Sequence, residues 1–536
     1  MSVRSSMNQD YTIISRWMHK TLVEWQNALK DNGSITQMYE EYIDFTNNAD
    51  HFKKFINLLC EYCPNLSHVR LVFSGEINDV PEDGLVEAVL RLPNVQCLTL
   101  IDAPSIALFE LQNDSNQLTT LNLCGVDKKI KSSTNSLGGL LGSMKKLHSL
   151  VYSYKDYNDQ IVESLAHLPN LKALTLLYLP RSEFLQLKNC KQLEVLYLYN
   201  TYEKVSTEDF LDVFSSMRNL HTLSIVFLEK NMHLTKKFYK LREFCPQLTC
   251  LTLNCCLDYF GDFAKLKYLK IDDDSSVQLD KLLTNLRPIY ANRLQILDIS
   301  EAHANSTKIT KFKNLKGFLC GKCPKSCYSY FSKLLNLQFL SFEIFEENLS
   351  QITKIVNSCS QLRYLRLPLK IEEVGELVKV LPDILSWRSS EPDDPFVLSL
   401  GIGSVVGEIE DKLKMHPHGN LLQLDWNGMV FTSKLKELIA SLGRNANKET
   451  AMTTKTIFQN PCKMAGDGLS LGDRWMSNAN YKLALKSCSK KFSLEYDEEL
   501  INRCRNKTIN NTDYELSNQI DAFNFKYDAL DEHNEL

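Results

Sequence analysis

From about Cys63 to Gly443 the apolar residues of this chain fall into one short phrase. It consists of a leucine, two variable residues, a second leucine, one variable residue and a third apolar residue. Leu171, Leu174 and Leu176 make one copy, and Leu193, Leu196 and Leu198 the next. Leu248, Leu251 and Leu253 make a later one, as do Leu362, Leu365 and Leu367. First positions fall at Leu66, Val95, Leu118, Leu147, Leu171, Leu193, Leu220, Leu248, Leu266, Leu294, Leu315, Leu337 and Leu362, with weaker copies from Val397 and Leu421. The steps run from 18 to 35 residues, mostly 21 to 29. Period-2 alternation sends the fourth and sixth positions to one side of a short strand, and a kink lets the first position join them. One such strand cannot bury its apolar face alone. About fifteen of them, stacked in parallel roughly 4.8 Å apart, share a continuous core along an inner face about 70 Å long.

The segments between phrases carry the spacing of helices. Ile161, Val162, Leu165 and Leu168 lie on one helical face, as do Phe210, Leu211, Val213, Phe214 and Met217. Glu163, His167, Asp212 and Ser216 fall between them, toward solvent. A short lead-in precedes many strands: Cys63-Pro64-Asn65-Leu66, Leu92-Pro93-Asn94-Val95, Leu168-Pro169-Asn170-Leu171, Cys190-Lys191-Gln192-Leu193, Cys245-Pro246-Gln247-Leu248 and Cys359-Ser360-Gln361-Leu362. The proline or polar pair stops the helix, and the residue three before the leucine anchors the corner. A repeat of this length and phrase resembles the leucine-rich repeat proteins. The resemblance spans residues 61–443 and implies an α/β solenoid, a horseshoe with parallel strands on its concave face and helices on its convex face. It also implies that the concave face binds a partner.

Composition narrows this reading without redirecting it. The chain of 536 residues is 44% hydrophobic, with a formal charge of −4 and a pI near 6.3. That balance gives no general reason to expect nucleic acid or a membrane surface as partner. No apolar run approaches a membrane span, and Met1 to Asp10 lacks the stretch of a secretory signal, so a cytoplasmic or nuclear protein is expected. Of the sixteen cysteines, Cys63, Cys190, Cys245 and Cys359 share the corner slot with Leu, Met and Phe, which predicts buried free thiols acting as small hydrophobes. Cys320, Cys323 and Cys327 have the spacing of partial zinc ligands, but the first two fall on inward positions of their repeat, and no metal is expected. The corner cysteines point toward the same family as the N-terminal segment described next.

Residues 1–60 do not carry the phrase. Ile13, Ile14, Trp17, Met18, Leu22, Val23 and Trp25 are spaced as an apolar helix, and His51 to Cys60 as a second one, which suits a cap over the first strand. Ser15-Arg16-Trp17, Trp25 and Tyr42-Ile43-Asp44 resemble the last helix and exit segment of an F-box in the insect-type F-box/leucine-rich-repeat family. The Leu-Pro opening and the two preceding helices of that motif are missing from the pattern. The resemblance implies a substrate-recognition subunit of an SCF-type ubiquitin ligase, in which Trp17 and Trp25 face a Skp-type adaptor and a cullin completes the assembly. The residues by themselves leave a second reading open, a stand-alone scaffold or inhibitor whose N-terminal helices are only a cap. At the other end, Thr432 to Gly443 reads as a closing helix with a Thr/Ser start and a glycine stop. Residues 444–536 turn polar, which predicts a mostly disordered tail with short helices.

No catalytic motif emerges. The chain has no phosphate loop, no His-Glu-x-x-His and no Gly-x-Ser-x-Gly, and Gly401-Ile402-Gly403 opens no dinucleotide site. An enzyme and a cofactor are therefore not expected, and a GTPase-activating role finds no candidate arginine finger. Protein binding would fall to the variable positions of the concave face. Tyr154, Tyr178, Tyr197, Tyr199 and Phe227, from four successive repeats, form a candidate aromatic anchor. Asp272 and Asp273 after one strand, with Asp298 and Glu301 on the next, form a candidate acidic patch for a Lys/Arg-bearing segment. The alternative is that the tyrosines pack on one another and the acids cap helices.

Overall fold

The structure is a computed structural model. It describes residues 13–14, 23, 26, 27, 29, 37–43 and most of 49–443. Within that last span the description omits 74–84, 102, 104–110, 112–116, 125–136, 154–160, 202–204, 228–238, 254–260, 272–278, 300–306, 324–328, 345–348, 368, 370, 389–393, 401–406 and 427. The polar tail from 444 onward lies outside the described residues.

The strands of one parallel sheet include every leucine phrase, as the spacing predicts, and two strands that precede the first of them. In chain order these are β1 (Ile13–Ile14), β2 (Gln37–Ile43), β3 (His68–Phe73), β4 (Cys97–Ile101), β5 (Thr120–Cys124), β6 (Ser149–Ser153), β7 (Ala173–Leu177), β8 (Val195–Thr201) and β9 (Thr222–Phe227). They continue as β10 (Cys250–Leu253), β11 (Tyr268–Ile271), β12 (Ile296–Ile299), β13 (Gly317–Cys323), β14 (Phe339–Ile344), β15 (Tyr364–Arg366), β16 (Phe396–Ser399) and β17 (Leu422–Asp425). Each pairs in parallel with the next, from β1–β2 through β16–β17. The register sets the fourth position of every repeat in one row; Leu98, Leu121, Leu150, Leu174, Leu196 and Leu223 follow one another across six strands. All six are fully buried in a core that runs on through Leu251, Leu269, Leu297 and Phe318. Burying one such side chain stabilises by roughly 1.5–3 kcal/mol.

The sheet reaches further toward the N-terminus than the leucine phrases indicate. β2 pairs with β3 in register, Met38 opposite Val69, and β1 pairs with β2. Tyr42 and Ile43, part of the F-box-like resemblance, belong to β2. The helix that follows, Ala49–Tyr62, buries Phe55, Ile56 and Leu59 in the same core as Leu66 and Val69. No leucine marks β2, and Glu40 stands where a third apolar residue would be, which hides the repeat from a leucine-based pattern.

Neighbouring repeats are tied at their corners by the lead-in phrases. The Asn94 amide donates to Pro64 O at 2.6 Å, Asn170 to Lys145 O at 2.8 Å, and Asn336 to Lys313 O at 2.9 Å. Gln117 and Gln192 do the same to two carbonyls each. The corner cysteines point their thiols at carbonyls one repeat back: Cys190 at Val162 O (3.9 Å), Cys245 at Phe214 O (3.9 Å) and Cys359 at Phe331 O (3.4 Å). Several of these carbonyls (Val162, Phe214 and Phe331 among them) already accept a backbone N–H within their own turn, so the thiol or amide adds to that bond at the second lone pair. Glu183 works in the same way on donors. Buried on the next repeat, its Oε2 accepts from the backbone N–H groups of Ile161 (2.9 Å) and Val162 (2.8 Å), where helix Val162–Leu165 begins. Among the described residues no helix is long and apolar enough to cross a membrane.

Candidate functional site: the concave face

Alternation puts the third and fifth positions of each repeat on the face opposite the core. The register orders the third positions as Cys97, Thr120, Ser149, Ala173, Val195, Thr222, Cys250, Tyr268, Ile296, Gly317, Phe339 and Tyr364. The face divides at β10. From β4 to β9 it is lined mainly by small hydroxyl and amide groups, including Thr99, Asn122, Thr175 and Ser224, all buried. Asn122 Nδ2 donates to Thr99 Oγ1 at 2.8 Å, while Asn122 Oδ1, Ser149 Oγ and Thr175 Oγ1 have no hydrogen-bond partner among the described residues.

From β10 to β15 the third positions are apolar apart from Gly317 and carry a helix, while the fifth positions are Thr252, Lys270, Asp298, Leu319, Ser341 and Arg366. Cys250, Tyr268, Ile296, Leu319 and Phe339 form one buried cluster with Phe431, Ile439 and Leu442, and Tyr364, Leu435 and Leu438 pack against it. The last five belonging to the helix (Phe431, Leu435, Leu438, Ile439, Leu442) are spaced i, i+4, i+7, i+8 and i+11, one face of helix Met429–Gly443. This crossing helix leaves β17 through Gly428, held at φ +71°, with Asp425 Oδ2 accepting from Phe431 N–H at 2.9 Å. Phe431 meets Phe339 edge-on, ring centroids 5.8 Å apart, and the helix reaches back to β10. Phe431 to Leu442 spans about 17 Å at 1.5 Å per residue, and β14 to β10 about 19 Å at 4.8 Å per strand. The helix expected as a closing element therefore lies across the sheet, because that is where unpaired apolar side chains await it.

The aromatic candidates are partly brought together. Tyr197 and Tyr199 stack with ring planes 1° apart and centroids at 6.3 Å. Tyr197 is buried against Ala173 and Val195; Tyr178 and Tyr199 pack on Ile101, Cys124, Val151 and Leu177. Tyr178 has φ +60°, and its N–H donates to Tyr199 O at 2.8 Å. Burial, then the neighbouring Tyr199, push the Tyr197 hydroxyl well above its ordinary range. Phe227 ends β9 opposite Thr201, and Tyr154 lies outside the described residues. Of the acidic candidates, Asp298 is buried on β12, in register with Lys270 on β11. Burial, then the Asp298 charge, raise the Tyr268 hydroxyl well above its ordinary range. Asp272, Asp273 and Glu301 lie outside the described residues, as do Trp17 and Trp25.

The corner cysteines are free thiols, as expected, and a cysteine on the sheet is not. Cys190, Cys245, Cys250 and Cys359 are free and buried, but Cys124, on the concave end of β5, is disulfide-bonded. Cys320 lies in the core, and among the described residues no three metal-ligating side chains are grouped. The residues that the leucine pattern passed over are Tyr268, Ile296, Phe339 and Tyr364. Their signal was present: third positions, ordinarily polar on an open face, are apolar in repeat after repeat.

This architecture defines an α/β leucine-rich repeat solenoid. No protein-family model matches the chain, and no curated protein matches it in sequence. Among solved structures, an internalin from Listeria monocytogenes is 14% identical over 57% of this chain and 81% of its own, with a TM-score of 0.33. The mouse RP105/MD-1 complex gives 15% identity over 65% of this chain and 62% of that one, with a TM-score of 0.35. A TLR13–ssRNA13 complex gives 16% identity over 69% and 57%, with a TM-score of 0.33. The chain thus spans less than two thirds of the last two.

Proposed function

We propose that this protein binds other proteins through the concave face of its solenoid and acts as a stand-alone scaffold or inhibitor. The observation that carries the reading is the crossing helix: the row of apolar side chains from Cys250 to Tyr364 already holds a polypeptide helix by side-chain packing. The stand-alone form is favoured by helix Ala49–Tyr62, whose Phe55, Ile56 and Leu59 are buried in the solenoid core. The finer alternative is substrate recognition for an SCF-type ubiquitin ligase through a Skp-type adaptor, which rests on Trp17 and Trp25.

Affinity purification of the full chain beside a Trp17→Ala/Trp25→Ala variant, with mass spectrometry of captured proteins, separates the readings. The expected result is one set of partners common to both and no ligase component. An adaptor and cullin captured by the full chain and lost with the variant would replace the scaffold reading with the ligase one. A full chain that retains no protein above background ends both.

A further inference from the structure

Three positions of each repeat lie on the edge of the sheet where the strands begin: the two residues before the first leucine and the residue after it. Backbone bonds hold them in rows. His148 O accepts from the N–H groups of Lys172 and Ala173, and Lys172 O from those of Glu194 and Val195. The same pair of bonds recurs at each step as far as Gln338 O, which accepts from Arg363 and Tyr364. At β3 and β4 these positions are uncharged: Pro64, Asn65 and Ser67 in one repeat, Pro93, Asn94 and Gln96 in the next. From β6 the edge turns cationic. Lys145 and Lys146 precede β6, Lys191 precedes β8, Arg218 precedes β9, Lys265 precedes β11 and Lys313 precedes β13, all of them exposed. Lys172, Lys267 and Lys316 hold the position after the leucine and are half-buried.

Among the described residues Glu194 is the one acid in these rows from β6 to β13, with its carboxylate 3.4 Å from Lys172. Arg293, before β12, is paired with Asp262 at 2.7 Å. Lys145, Lys146, Lys191, Arg218 and Lys313 form no ion pair among the described residues. The corner itself does not require these cations, because Pro-Asn closes it at β4 and β7, where Asn94 and Asn170 make the bridging bonds. Helix polarity does not require them either. Helices Ala49–Tyr62 and Leu85–Leu90 also end at such corners, have no basic residue in their last turns, and are followed by proline. Nor is the concentration a matter of composition, since the whole chain carries a formal charge of −4. Strands about 4.8 Å apart place adjoining repeats within a Debye length of about 8 Å, so the cations repel one another and an anionic ligand relieves that repulsion.

We propose that the strand-start edge of the sheet from β6 to β13 binds an extended acidic polypeptide segment. Seven strand steps make a row about 34 Å long, the reach of about ten extended residues. Alternate side chains of such a segment face one way about 6.6 Å apart, which suits a row with about one cation per strand. A nucleic acid fits this edge less well. A duplex carries one charge per about 1.7 Å of its axis, and Glu194 would face that unbroken charge, whereas a polypeptide can place a neutral residue there. No phenylalanine, tyrosine or tryptophan stands in these rows to stack the bases of a single strand. Lysine supplies most of the charge, as points and not as forks, so aspartate and glutamate serve alike and binding weakens steeply with salt. The site uses other side chains than the concave face and does not depend on the reading proposed for that face.

The test measures fluorescence anisotropy of a labelled peptide of five Glu-Ser repeats with the full chain at low salt. Binding is expected, with at least a fivefold loss on raising the salt and none to the matching Gln-Ser peptide. A Lys145→Glu/Lys191→Glu/Lys313→Glu variant is expected to lose at least tenfold in affinity. Lys54→Glu/Lys240→Glu/Lys354→Glu, at exposed lysines away from these rows, makes the same change in net charge and should stay within twofold of the unaltered protein. Should the first variant fail to fold, the Lys→Gln form of the same triple makes the comparison. Equal losses in the two triple variants would reduce the effect to net charge and overturn the inference, as would a peptide that does not bind. A DNA duplex or phosphatidylserine vesicles bound in preference to the peptide would overturn it in favour of a nucleic acid or a membrane. The concave-face reading stands or falls separately, on the purification described above.

Discussion

Arg388 illustrates how far one side chain can reach to hold a repeat in place. Its guanidinium donates to the carbonyls of Val356 (2.8 Å), Cys359 (2.8 Å), Ser360 (2.7 Å) and Leu362 (2.9 Å), closing the end of helix Leu349–Ser358 and the corner after it. Burial, then the charge of Arg363, lower its pKa to about 10, which still leaves it charged at neutral pH. Arg388→Ala is expected to cost about 2–3 kcal/mol in denaturant unfolding, since charged hydrogen bonds are lost and carbonyls are stranded. Arg388→Lys should recover only part, because a single ammonium cannot reproduce the fork. Nothing local in the sequence announces this role, for the targets lie about one repeat back. The corner cysteines were more legible, since a slot shared with Leu, Met and Phe already reads as interior. Burial pushes the thiols of Cys190 and Cys245 to about 12 and that of Cys359 to about 11, against an ordinary value of 9.0. The folded state therefore holds these protons more tightly than the unfolded chain. Their contribution is intact below pH 9 and is lost as pH rises from 9 toward 12. Stability measured by urea titration should fall across that window and stay unaffected by these groups between pH 7 and 9.

At the scale of elements, periodicity identified the strands and most return helices, because each is marked by its own apolar spacing. It also marked Thr432 to Gly443 as a helix. It did not say where that helix would land, since a pattern defines a face and not the surface that receives it. The destination was written in other elements, as the apolar third positions of β10 to β15. β2 was missed for the converse reason: its place in the sheet comes from pairing with β3 and not from leucines of its own. The turn that redirects the chain is a clear point of attack. Gly428 has φ +71°, and a Cβ there would lie 3.4 Å from Ser399 Oγ. Gly428→Ala is expected to weaken docking of the crossing helix by about 1–2 kcal/mol, the cost of a left-handed alanine. Hydrogen exchange should quicken at residues 429–443 and remain unchanged in β4 to β8.

For the solenoid as a whole, stacking makes each repeat answer chiefly to its neighbours, so stability is a sum of local terms and adjoining interfaces. Leu174→Ala, in the middle of the core row, should cost about 2–5 kcal/mol and be felt first in the repeats beside it. What sequence alone could settle at this scale was the architecture; the seating of the crossing helix on the third-position row of β10 to β15 needed the register. The crossing helix breaks the nearest-neighbour rule. It ties β10 to residues about two hundred positions later in the chain. A linear array frays from its ends, one unit at a time, but an array with a clasp across six units loses them together. Native-state exchange should accordingly find one shared opening energy for β10 through β17 and a graded series for β3 through β9. Unfastening the clasp would turn the first group into a continuation of the second, so occupancy of the concave face would govern whether half of this protein melts as a block or as a chain of separate events.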